Sequence, residues 1–139
     1  KVKIINNYFY TKGLKNMDYE LITKLGNCID NVYNNYAESS DRRTVAKIQD
    51  NHLVLEYRTI LRVAKDLQLE GQMDLIKSES KQMIESRMRS IKQVFKEESG
   101  RPLKTKKVMD YDNIETLTVS PYSPIRTLKY TFSVGYEVS

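Results

Sequence analysis

The stretch RTLKYTFSVGYEVS alternates without a break. Leu128, Tyr130, Phe132, Val134, Tyr136 and Val138 are separated by Lys129, Thr131, Ser133, Gly135 and Glu137. A period of two predicts a strand with one apolar and one wet face, here over residues 125–139. KVKIINNYFY reads as a shorter strand, with Val2 and Ile4 on one face. After it, Leu21, Ile22, Leu25, Cys28, Ile29, Val32, Tyr33 and Tyr36 recur at spacings of three and four. That is an amphipathic helix, with Asn16 as its N-cap and Asp18 and Glu20 in the first turn. Gly26 inside it costs about 1 kcal/mol against alanine and points either to close packing there or to a weak spot.

TVAKIQDNHLVLEYRTILRVAKD returns to a period of two and predicts a hairpin turning at Asp50-Asn51. Leu53, Leu55, Tyr57, Leu61 and Val63 share a face that Thr59 interrupts. From Leu69 the helical period returns, through Met73, Ile76, Met83, Ile84, Met88, Ile91, Val94 and Phe95. Gly100 and then Pro102 close a second helix over 71–99, roughly 40 Å long. Its stripe thins at 77–82, which predicts that one end projects. The last third reads as a strand PLKTKKVM, a turn DYDN, a strand IETLTVS, an elbow PYSP and the final strand. The order is β-α-β-β-α-β-β-β. It predicts one α+β domain over 1–139, a two-layer sandwich with a mostly antiparallel sheet and two helices on one face. The expected core sets Leu21, Leu25, Ile29, Val32, Met73, Ile76, Ile84, Ile91 and Phe95 against Leu55, Tyr57, Leu61, Leu128, Tyr130 and Phe132.

Composition narrows the function classes. The chain has 139 residues, 40% hydrophobic and 29% charged, enough for a core. A single cysteine, Cys28, rules out an intrachain disulfide. No run approaches 18 apolar residues, so no membrane partner is expected. The start lacks the apolar core and cleavage site of a signal peptide. The net charge of +5 permits an acidic partner without demanding one.

No catalytic, cofactor or metal site is predicted. His52 is the only histidine and sits at a predicted turn beside Asp50. One isolated histidine builds neither a Ser-His-Asp set nor, with Cys28, a zinc site. Asp110 and Asp112, near Glu115, have carboxylates able to hold Mg²⁺, but DYDN is also ordinary turn chemistry, and that reading is preferred. The five glycines are too scattered for a phosphate loop. Arg101, Lys104, Lys106 and Lys107 form the densest basic stretch. With Lys81, Arg87, Arg89, Lys92 and Lys96 they are the candidate patch for nucleic acid or another acidic partner. A solvated face is the alternative.

The final strand points elsewhere. Fourteen residues span about 45 Å, and a long exposed strand with an apolar face invites pairing. Leu128, Tyr130, Phe132, Val134, Tyr136 and Val138 are therefore the expected intersubunit face, within an intersubunit strand over 125–139. The element order over 44–139, the lack of a site, and IKQVFKEESGRPLKTKKV leading into long strands resemble the ring-forming virion proteins of tailed bacteriophages. These are the neck, connector and tail-completion proteins. The resemblance implies a non-catalytic cyclic homo-oligomer that binds itself or neighbouring assembly proteins, in a virion or the host cytoplasm. The alternative is a nucleic-acid-binding α+β module.

Overall fold

In the computed structural model, residues 19–34, 41–49 and 52–139 are described. The strand expected over 1–10, the cap at Asn16, Tyr36 and the turn at Asp50-Asn51 lie outside them. The elements are α1 (Tyr19–Asn34), β1 (Arg42–Gln49), β2 (His52–Ala64), α2 (Glu70–Ser99), β3 (Thr105–Thr116) and β4 (Ile125–Val138). The strands form one antiparallel sheet in the order β1-β2-β4-β3. The α+β class with two helices and an antiparallel sheet is as expected.

Periodicity explains the layers. In α1 the three-four stripe of Leu21, Ile22, Leu25, Cys28, Ile29 and Val32 is buried. In β2 Leu53, Leu55, Tyr57 and Thr59 are buried, and in β1 Thr44, Ala46 and Ile48. These faces meet in one core with Ile84, Met88, Ile91 and Phe95 of α2. Gly100 ends α2 at φ 76°, where a side chain would be strained, and its N–H donates to the Lys96 carbonyl at 2.9 Å.

The thin stretch of α2 does not project. Ser80 is fully buried and its hydroxyl donates to the Ile76 carbonyl at 2.7 Å. Tyr57 donates to Glu79 at 3.3 Å, and Lys77 lies 3.4 Å from Asp112. Polar contacts to the sheet replace the missing apolar ones.

The last third differs from expectation in one respect. DYDN is not a turn: residues 105–116 form one strand, paired with β4 from Thr105↔Val138 to Thr116↔Leu128. Asp110 and Asp112 fall opposite Val134 and Phe132. Their carboxylates find Lys107 at 3.1 Å and Lys77 at 3.4 Å, so neither needs a backbone turn for a partner. The reversal comes later, at the PYSP elbow.

β4 runs as predicted but lies inside the sheet, with β2 on one side and β3 on the other. Leu128, Tyr130, Phe132, Val134 and Tyr136 are at most 9% exposed, beneath the chain's own helices, and Val138 is half-buried. The expectation that these six side chains form an intersubunit face, and that 125–139 is an intersubunit strand, is therefore corrected. Their apolar face is filled by the helices, and both edges of the strand are already paired within the chain.

Candidate functional site

Of the two outer strands of the sheet, β1 and β3, the more exposed is β3. Among the described residues it pairs with β4 alone, and its other edge leaves a row of backbone N–H and C=O groups without ladder partners. Eleven of its twelve side chains are exposed. α2 packs over β2 and β4, and β3 lies beyond the part of the sheet it covers. Val108, Met109, Tyr111 and Ile114 are large apolar side chains between 39% and 52% exposed.

A bulge between Lys107 and Met109 divides the strand. Beyond it the pairing is regular from Met109 to Thr116. On the side away from the helices, Met109 lies over Gly135 of β4: a Cβ added there would sit 3.0 Å from Met109 Cγ. The close approach accounts for a glycine in the middle of a strand. On the helix side, the Tyr130 hydroxyl donates to Asp112 at 3.2 Å. Burial first, and the Asp112 carboxylate second, push the Tyr130 phenol well above its usual range. The edge is thus locked to its neighbour on both faces.

The strand leads into residues 117–124, which hold Val119 at 96% and Tyr122 at 93% exposure. This segment is tied down: Lys65 N–H donates to the Pro124 carbonyl at 2.9 Å and Lys65 Nζ to the Ser120 carbonyl at 3.0 Å. Two apolar side chains are held out from an anchored loop beside the edge. The edge residues escape the sequence reading because 110–113 looked like a turn. The signal present was period two itself, with Met109, Tyr111 and Asn113 in alternation.

The basic stretch is exposed but partly neutralised. Lys107 pairs with Asp110 at 3.1 Å, and Lys106 lies opposite Glu137 in the ladder. Lys104 exchanges backbone hydrogen bonds with Ser139, extending the ladder. Arg101 sits past the end of α2, exposed. The cations of α2 do not all join them: Arg87 is buried and its Nε donates to Thr44 Oγ1 at 3.4 Å. A buried guanidinium between helix and sheet cannot contact a phosphate.

His52 opens β2 opposite Gln49 and Glu137. Cys28 is fully buried, its thiol pushed up to about 12 by burial and then by the nearby Glu98 carboxylate. Among the described residues no three His, Cys, Asp or Glu side chains group as a metal site, and no helix is long and apolar enough to cross a membrane. The chain matches no protein-family model, no curated protein and no solved structure.

Proposed function

We propose that this protein is a non-catalytic assembly subunit that takes up a strand from a neighbouring subunit along β3. The observation that carries this reading is the edge itself: twelve residues, one side unpaired among the described residues, with four large apolar side chains exposed along it. Water satisfies such an edge, but an added strand satisfies it and covers the apolar side chains as well. The fixed, apolar loop carrying Val119 and Tyr122 supplies further contact area beside the edge. Along β3, Asp110, Asp112 and Glu115 sit in exposed ion pairs with Lys107, Lys77 and Lys129. In this proposal the assembly is a closed ring of the kind formed by neck, connector and tail-completion proteins.

Light scattering on the purified chain tests it. The expected result is a mass of several chains that falls to one when Tyr111 and Ile114 are replaced by lysine. Both side chains are about half exposed, so the fold should change by no more than about 0.5 kcal/mol each. A wild-type chain that stays monomeric at high micromolar concentration overturns the reading.

A further inference from the structure

Beyond its bulge, β3 presents different chemistry on its two faces. Asp110 and Asp112 lie opposite Val134 and Phe132, on the helix side. Met109 and Tyr111 lie opposite Gly135 and Ser133, on the other side. All four side chains are exposed. The two carboxylates stand two positions apart, about 7 Å along the strand. A strand added along the outer edge sets its own side chains directly opposite these four. The strand that matches carries two cations at alternate positions, facing the carboxylates, and apolar residues in step with Met109 and Tyr111.

That pattern stands in the sequence before α1. In KVKI, Lys1 and Lys3 alternate with Val2 and Ile4, at the head of the stretch whose period of two predicts a strand. The segment lies outside the described residues. The other cations outside them, Lys12 and Lys15, are three apart and fall on opposite faces of any strand.

Every strand pair in this sheet is antiparallel. Laid antiparallel, one register sets Lys1 opposite Asp112, Val2 opposite Tyr111, Lys3 opposite Asp110 and Ile4 opposite Met109. Both lysines face carboxylates, and both apolar side chains face apolar ones that are 52% exposed. Ile5 follows at the bulge, beside Val108, itself 39% exposed. The neighbouring registers do worse. A slip of one residue either way sets Val2 opposite a carboxylate. A slip of two sets Lys1 opposite Ile114 and Ile5 opposite Asp110, or, the other way, brings Lys3 to the bulge beside Lys107. The other outer strand, β1, offers these lysines no carboxylate.

We infer that the strand taken up along β3 is the KVKI segment of a neighbouring copy. The inference rests on the assembly reading above and names the strand that the neighbour supplies. Asp110 already lies 3.1 Å from Lys107, and Asp112 lies 3.4 Å from Lys77 and accepts from Tyr130 at 3.2 Å. Their side chains are still 40% and 35% exposed, and a carboxylate accepts more than one donor, so a lysine from outside adds to these contacts. Residues 6–18 join the segment to α1 and span about 45 Å when extended, a reach that crosses to an adjacent copy. Giving and receiving surfaces differ, so one contact repeated around an axis links copies into a closed ring.

Cross-linking in the full-length chain tests the pairing. Cys28 is fully buried and stays out of the reaction. One variant carries Val2→Cys and another Tyr111→Cys, positions that the register sets opposite each other at disulfide distance. Under mild oxidation an equimolar mixture is expected to form a covalent dimer of one variant with the other, and the double variant a ladder of linked chains. If the wild type is a multimer by light scattering and the mixture forms no joint dimer, another strand occupies β3, and this inference fails while the assembly reading stands. If the double variant closes within single chains, the segment occupies its own β3 and this inference fails. The assembly reading fails with it only if the wild type is a monomer.

Charge supplies a second arm. Lys3→Glu sets like charges opposite each other and is expected to raise the concentration of half-dissociation about tenfold. Adding Asp110→Lys in the same chain is expected to restore it, which a mere loss of folding does not allow. Asp112 is left in place because it holds Tyr130. A double variant that associates no better than Lys3→Glu alone overturns the register.

Discussion

The Tyr130 hydroxyl donates to the Asp112 carboxylate across 3.2 Å, joining the middle of β4 to the middle of β3. Asp112 is in turn 3.4 Å from Lys77 of α2, so one carboxylate ties the edge strand to both the sheet centre and the helix layer. A hydrogen bond to a charged group is worth about 1.5–3 kcal/mol when well shielded. Here the acceptor is partly exposed, so Tyr130→Phe should cost about 1 kcal/mol at pH 7, read from the urea midpoint.

The same tyrosine makes stability fall at alkaline pH. Burial raises the phenols of Tyr57, Tyr130 and Tyr136 above their ordinary value of 10.0. A group whose folded pKa is raised contributes its stability in full below the unfolded pKa. It loses that contribution as pH climbs towards the folded value, because the unfolded chain then releases protons that the folded chain keeps. The urea midpoint should fall steeply above about pH 10, and less steeply in Tyr130→Phe. An unchanged slope in that variant would mean that Tyr130 ionises as freely folded as unfolded.

Cys28 tests the packing between the helices. Its side chain is fully buried in α1, and its thiol points to Glu98 of α2 at 3.6 Å. Burial and the Glu98 carboxylate push that thiol up to about 12, so the reactive thiolate is scarce at pH 8. A thiol reagent should label the native protein only as fast as α1 opens, and label it immediately in guanidinium. Rapid labelling of the native chain would show α1 detached from α2.

The core was legible because burial follows period. The spacing of Leu21, Leu25, Ile29 and Val32 is set by a helix that must hide one stripe, and that of Leu53, Leu55 and Tyr57 by a strand that must hide one face. Nothing local encodes neighbours in a sheet. The long final strand therefore looked like a free one, although β2 and β3 flank it. Asp110 and Asp112 misled in the same way: local chemistry favours a turn, while pairing with β4 and the cations Lys107 and Lys77 holds them extended. Arg87 looked like surface because its partner Thr44 is far away in the chain. The open edge of β3 was invisible for the related reason that an edge is defined by which strand is last, and sequence gives strand content before strand order.

Phe132 measures how completely the helices cover β4. It is 5% exposed and packs in the core beside Tyr130 and Val134. Phe132→Ala should cost about 3–5 kcal/mol by chemical denaturation. A loss under about 1 kcal/mol would mean that the apolar face is open to water and available to another chain.

Truncation separates the two roles that a long C-terminal strand can play. Cutting after Ser133 removes Val134, Tyr136 and Val138, the first two of them buried. It also removes the pairs with His52, Leu53, Val54 and Leu55 of β2 and with Thr105, Lys106, Lys107, Met109 and Asp110 of β3. A terminal strand that served only to join subunits would leave a folded monomer behind. This one supplies the centre of the sheet at its His52 end, and without it β2 and the start of β3 lose the strand between them. The truncated chain should lose its cooperative thermal transition, not merely its partners. A truncated chain that keeps the wild-type unfolding transition and differs only in mass would return 134–138 to the intersubunit role.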